Sequence, residues 1–224
     1  MLKSTDLKEF AKSIGADLVG IAPESRFELA PQRHRPHDYL ESCKSVISLA
    51  FKLNNGAIRR LPKTRDEYMV EFTYGNTHLY RLAQQVTRYL EDKGYESIGF
   101  TPDLANAVTI KADISHKHAA VACGLGKFGL NELLVTPKYK SSVRLATVIT
   151  EASFDVYDEL LSDNPCDYCR KCISVCPAKA LGKWEGEFSP EIGYTIEKQR
   201  CSYYQKTVLG GKRCGMCIKA CLSC

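Results

Sequence analysis

The sequence predicts a layered α/β or α+β domain, residues 1–155, followed by a small cysteine-rich metal-binding domain, residues 156–224. Three observations carry this reading. Apolar stretches of helical and strand period alternate over about the first 150 residues, the pattern of helices layered on a sheet. Of eleven cysteines, nine crowd into the last 59 residues. The 224 residues are 44% hydrophobic and 25% charged, which excludes a disordered tail, a collagen-like fibre and a polytopic membrane protein.

The elements follow in order. Leu7, Phe10, Ala11 and Ile14 share one helical face, with Ser4 or Thr5 as the expected cap and Gly15 as the stop. Residues 17–22 read as a buried strand ending at Pro23, and residues 45–51 as a second, β-branched at its start. Residues 54–67, with Arg59, Arg60, Lys63 and Arg65, read as a polar basic loop whose charges face solvent. Leu79, Leu82, Ala83, Val86 and Leu90 mark an amphipathic helix closed by Gly94, and residues 95–101 another strand. Ser115 is placed to cap a short alanine-rich helix. Residues 133–136 and 143–150 read as apolar strands around the turn at Pro137, and 151–165 as a loose acidic linker.

The cysteine spacing is the most specific signal. Cys166, Cys169, Cys172 and Cys176 followed by Pro177 form the bacterial two-cluster ferredoxin run. Three thiolates two residues apart wrap one corner of a cubane, and the fourth points toward a second cluster. Cys214, Cys217 and Cys221 repeat the latter part of the pattern, and Cys201 supplies the missing ligand. The crossed arrangement assigns Cys166, Cys169, Cys172 and Cys221 to one [4Fe–4S] cluster, and Cys176, Cys201, Cys214 and Cys217 to the other. A zinc ribbon uses paired Cys-x-x-Cys but has no role for the third and fourth cysteines at this spacing. Disulfides do not suit a chain whose start lacks the apolar stretch of a signal peptide, and a cytoplasmic location with no membrane association is expected. Cys43 and Cys123 read as small buried hydrophobes. Cys224 reads either as an alternative ligand or as a free thiol. The formal charge of +5 does not argue for nucleic acid. Two oxidised clusters with their thiolates, each about −2, would bring it near about +1.

Gly124, Gly126 and Gly129 satisfy G-x-G-x-x-G, but the motif follows a helical stretch and opens no crossover helix, so a nicotinamide site is not expected. Three glycines in six residues still suggest backbone that a broad ligand approaches closely. His116 and His118, two apart, diverge on a helix and cannot share a metal as an i, i+4 pair would.

Residues 7–23, 44–51 and 115–150, with the cysteine region, together resemble the epoxyqueuosine reductase family, which is related to the reductive dehalogenases. The resemblance implies a nitroreductase-like domain joined to a two-cluster ferredoxin-like domain. It also implies a cobalamin over the glycine-rich segment, contacted by Ser115, His116, Gly124, Gly126, Gly129 and Leu130 and reduced by the nearer cluster. Three departures stand out. The family's tRNA-acting members carry a catalytic aspartate in an Asp-Thr-Gly-Pro stretch; ungapped counting reaches Ile110, and Asp113 matches only with a shift of three. No helical tRNA-binding extension follows Cys224, so tRNA is not the expected substrate. Lys140 stands where the family has glycine. The expected function is an iron–sulfur reductase acting on a small molecule or a corrinoid protein, fed by a redox partner protein. The alternative is an electron-transfer protein that docks to a separate partner and has no catalysis of its own.

Overall fold

The computed structural model describes residues 1–102, 110–182 and 188–224. The strands in chain order are β1 (Leu18–Pro23), β2 (Ser45–Lys52), β3 (Ser97–Phe100), β4 (Lys127–Phe128), β5 (Leu134–Val135) and β6 (Val143–Thr150). The α-helices are α1 (Ser4–Ser13), α2 (Asn55–Arg60), α3 (Asp66–Glu91), α4 (His116–Ala122), α5 (Lys171–Ser174), α6 (Lys198–Tyr203) and α7 (Met216–Cys221). Contacts gather them into two compact units that interleave along the chain. One comprises Met1–Phe51, Asn76–Leu125 and Arg144–Leu161; the other comprises Lys52–Gly75, Gly126–Val143 and Ser162–Cys224. The sequence reading instead takes the chain as two consecutive segments, because periodicity identifies elements without saying which neighbours they join.

In the first unit a four-stranded sheet runs in the order β1-β2-β6-β3. Both outer pairs are antiparallel, with Ile21 opposite Ile47 and Ile98 opposite Ile149. Of the two classes the sequence left open, this is the α+β kind rather than a parallel βαβ winding. Alternate side chains along a strand face opposite ways, so both faces must be covered. Ile21, Ile47 and Val148 pack with Leu7 of α1 and with Leu79, Leu82 and Val86 of α3. Their sequence neighbours Ala22, Val46 and Ile149 pack on the other face with Ala119 and Cys123.

Two local expectations change in this unit. No serine or threonine side chain caps α1; the Asp155 carboxylate accepts the Ser4 amide at 2.8 Å instead. The stretch expected to be a loose linker is therefore tied down. Asp158 adds to this, accepting the Ile21 amide at 2.8 Å and the Lys8 ammonium at 2.6 Å. Neither carboxylate belongs to a periodic pattern, so the sequence carried no sign of these ties.

In the second unit β4 and β5 form a short antiparallel hairpin, with Lys127 opposite Val135. The first of these strands lies inside the glycine motif, where the sequence reading had no strand. The basic run of residues 54–67 is also not a loop. It contains α2 and the first turn of α3, with Ile58 and Leu61 fully buried and the Glu71 carboxylate accepting the Asn54 amide at 2.9 Å. Two buried residues in a polar run are too few to register as a helical period.

Candidate metal centre

The second unit gathers the clustered cysteines. Cys166 and Cys169 lie on the loop before α5, Cys172 within α5 and Cys221 at the end of α7. Leu130, Cys172 and Ala220 form a small buried cluster on which Cys166 and Cys217 pack. The thiols of Cys166, Cys169, Cys172 and Cys221 line one open cavity of about 350 Å³, and Cys224 joins them. The Cys169 and Cys224 sulfurs are in bonding contact, with their Cα atoms 7.0 Å apart. Cys166, Cys172 and Cys221 are free thiols. Burial first, then the neighbouring Cys166 and Cys221 sulfurs, push the Cys172 thiol up to about 11.

Cys176, only four residues past Cys172, is an electrostatic neighbour of Cys201 and of Cys214. Those three sulfurs act in turn on Cys217, whose thiol is pushed up, first by burial and then by the sulfurs around it. Burial is also the main cause raising Cys201 and Cys214. Thiols held close together and dehydrated resist ionising one by one. A metal replaces their protons and offsets the repulsion in a single event. A donor set dominated by sulfur, with the Asp167 carboxylate beside Cys169 and Cys224, is soft, which suits iron–sulfur clusters or zinc and disfavours magnesium or calcium.

Several surrounding residues escaped the sequence reading. Lys140 lines the first cavity, its ammonium donates to the Pro165 carbonyl at 3.3 Å, and its backbone is left-handed at φ 50°. That conformation favours glycine, and the lysine adopts it. Glu132 is buried and accepts the Tyr194 amide at 2.9 Å. The Tyr194 hydroxyl donates to the Leu130 carbonyl at 2.9 Å and is pushed up to about 12, chiefly by burial. The positive φ of Lys140 alone had a signal in the sequence, namely that a lysine replaces the family's glycine there.

The residues expected around a corrinoid are distributed over both units. Ser115, His116 and Gly124 belong to the first, and Gly126, Gly129 and Leu130 to the second. Ser115 pairs with His118 Nδ1 at 2.7 Å. His116 is held between Thr147 Oγ1 at 2.8 Å and the Thr101 carbonyl at 3.1 Å, and burial lowers its pKa. The glycines serve the chain's own packing. A Cβ at Gly124 would lie 2.2 Å from the Glu159 carbonyl oxygen, and one at Gly126 would lie 2.4 Å from that of Val135. At Gly129 it would lie 2.5 Å from a Val135 methyl. At each of the three, the direction a Cβ would take is thus occupied by the chain's own atoms. Asp113 is exposed and its carboxylate acts on Tyr39, whose pKa rises chiefly through burial. Much of the segment preceding Asp113, residues 103–109, lies outside the described residues. Cys123 is fully buried, donating to the Val46 carbonyl at 3.4 Å, and Cys43 is half-buried in the same core. Among the described residues, no helix is long and apolar enough to cross a membrane.

No family model matches the chain. It is 29% identical over 185 residues to the tetrachloroethene reductive dehalogenase of Dehalobacter restrictus, covering 77% of this chain and 29% of that protein. It is 27% identical over 205 residues to the epoxyqueuosine reductase of Bacillus anthracis, covering 79% of this chain and 51% of that protein. The chain thus spans less than a third of the one relative and about half of the other. Among solved structures, a catabolic reductive dehalogenase in complex with 3-bromo-4-hydroxybenzoic acid aligns with a TM-score of 0.76 at 19% identity, covering 96% of this chain and 31% of that one. An epoxyqueuosine reductase holding an epoxyqueuosine-modified tRNA stem loop aligns with a TM-score of 0.63 at 22% identity, covering 91% and 57%. The mixed fold seen here is the fold of both groups.

Proposed function

We propose that this chain is the iron–sulfur part of a reductase and moves low-potential electrons through two [4Fe–4S] clusters. Cys166, Cys169, Cys172 and Cys221 would hold the first, and Cys176, Cys201, Cys214 and Cys217 the second. The observation that carries this reading is the gathering of the clustered cysteines into two adjoining sulfur-rich groups, with Cys176 and Cys221 each beside the thiols of the other run. Such clusters supply one-electron transfer at potentials set by net charge, hydrogen bonding and exposure.

The chain's own residues supply those settings. Lys140 places a positive charge at the rim of the first group, which favours the reduced, more negative state. Leu130, Ala220 and Ile173 exclude water from one side. The Ala180 amide donates to Cys176 Sγ at 3.4 Å and the Gln205 amide to Cys201 Sγ at 3.2 Å; both bonds ease reduction by stabilising charge on sulfur.

The substrate we propose is a small molecule or a corrinoid protein, with a separate redox protein as electron donor. A second reading, corrinoid bound by this chain itself, has one observation in its favour. A solved reductive dehalogenase, similar to this chain at TM-score 0.76 and 18% identity, is linked to B12-dependent dehalogenation. No step is routed through that cofactor.

Anaerobic purification with iron, sulfide and zinc analysis tests the main reading. The expected result is about eight irons and eight sulfides per chain, with broad absorption near about 400 nm that bleaches with dithionite. Four irons, or stoichiometric zinc, would overturn it. Titration of cobalamin into the same anaerobic protein, followed by cobalt EPR, tests the second reading; no binding at about 100 µM sinks it. A gel shift with tRNA serves as the control on substrate class, and tight binding there would displace the small-molecule assignment.

A further inference from the structure

We propose that Cys224 is a redox latch for the first cysteine group: when Cys169 is not holding iron, its thiol closes on Cys224 as a disulfide. The inference rests on the first group being a cluster site. A cubane takes four thiolates, yet five thiols line this cavity, and the surplus one is not randomly placed. Of the cavity's sulfurs it is paired with that of Cys169, while Cys166, Cys172 and Cys221 stay free.

The local structure explains the pairing. The Cys224 amide continues the last turn of α7 by donating to the Cys221 carbonyl at 3.4 Å, and its Sγ lies 3.5 Å from the Ala220 carbonyl oxygen. The Lys171 ammonium pins the same turn by donating to the Ser223 carbonyl at 2.9 Å. Cys224 is thus held beside α5, and the Cα separation of 7.0 Å lies at about the limit a disulfide can bridge. Cys169 is exposed whereas Cys172 is buried, so Cys169 is the ligand an oxidant reaches readily.

The chemistry balances with a peroxide as oxidant. Each thiol gives up one proton and one electron, and a sulfur–sulfur bond forms. Hydrogen peroxide takes both electrons and both protons, breaks its O–O bond and leaves as two waters. Two external thiols reopen the bridge by exchange. The latch thereby stops Cys169 at a reversible oxidation state, short of sulfinic acid.

The test uses the full chain, first stripped of metal under reductant and then exposed briefly to hydrogen peroxide. Alkylation and tandem mass spectrometry should find one dominant cross-link, Cys169 to Cys224, about 2 Da below the sum of the two thiol peptides. After reduction and supply of iron and sulfide, the wild type should regain about eight irons. Cys224→Ser given the same peroxide should carry Cys169 as sulfinic acid, about 32 Da heavier, and regain only about four. Without peroxide both proteins should reach about eight, which shows that the variant folds and that Cys224 is not an obligatory ligand. The latch is overturned by cross-links spread equally over Cys166, Cys172 and Cys221. Full recovery of the oxidised variant, or a variant that takes only half the iron before oxidation, overturns it too. Wild type that takes up no iron before oxidation overturns the cluster reading instead, while the cross-link map still decides the pairing.

Discussion

The guanidinium of Arg65 donates to the carbonyl oxygen of Cys214 at 2.5 Å, joining positions 149 residues apart in sequence. The contact belongs to a brace formed by Lys52–Gly75 beneath the second cysteine group. The Lys219 ammonium donates to the Leu61 carbonyl, and the Arg213 guanidinium lies over the Phe72 ring at 4.6 Å. The loop that carries Cys214 has no strand of its own, so these long-range contacts fix it.

Arg65→Met keeps much of the aliphatic stem and removes the charged donor. The lost bond is part-buried, and a charge-assisted bond of this kind contributes about 1.5–3 kcal/mol. The variant should lose roughly that much stability in denaturant unfolding. Under a chelator it should release iron from the second group faster than from the first. Unchanged release kinetics would show that the brace does not bear on the thiols.

Cys176 offers a second test, because its thiol stands with Cys201 and Cys214 rather than with its sequence neighbours. On the proposed assignment, Cys176→Ala should damage the cluster held by Cys201, Cys214 and Cys217, and leave about four irons in place. EPR of the reduced variant should show one uncoupled cluster signal in place of a spin-coupled pair. Loss of the first cluster with coupling retained would refute the crossing.

What the sequence displayed and what it hid divide along physical lines. The strands 18–23, 45–52 and 143–150 and the helix at 116–122 were legible because burial imposes a period that local composition records. The helix at 55–60 was hidden because only Ile58 and Leu61 turn inward from a run of charge. The strand at 127–128 was hidden inside a glycine motif whose meaning lies in the close approach of Val135. At the candidate centre, spacing drew attention to eight thiols. It gave no hint that Arg65 and Glu132 stand around them, since each arrives through a contact remote in sequence. The interleaving of the two units has the same origin.

The acid side of the stability curve offers a third test, through Asp155. The Ser4 amide, donating to its carboxylate, is the first of several hydrogen bonds that hold its pKa below the ordinary aspartate value. A carboxyl whose folded pKa is depressed adds stability that is present above its unfolded pKa, about 3.9, and is lost as pH falls through the folded value. Asp155→Ala should therefore melt below the wild type at neutral pH, and the two melting curves should converge below about pH 4. A gap that stayed constant across that range would mean the side chain acts by packing and not by capping α1.

Gly126 supplies the last prediction, and it bears on how a corrinoid experiment must be read. The sequence alone suggested that a larger side chain at this position would fill space left for a ligand. In the structure that space is already taken: a Cβ would stand 2.4 Å from the Val135 carbonyl oxygen and 3.1 Å from a Leu134 methyl. The first of these is backbone of the facing strand and cannot swing aside as a side-chain tip can. Gly126→Ala must push β5 away from β4, and overpacking of this kind costs about 1–3 kcal/mol. The expected result is lower stability in the absence of any cofactor, measured by denaturant unfolding of the metal-free and metal-loaded protein alike. Weaker cobalamin binding by this variant would then follow from the damaged hairpin and would not locate a corrinoid over the glycines. If Gly126→Ala is as stable as the wild type and yet loses cobalamin, the hairpin yields without cost and the glycine segment is a ligand surface after all.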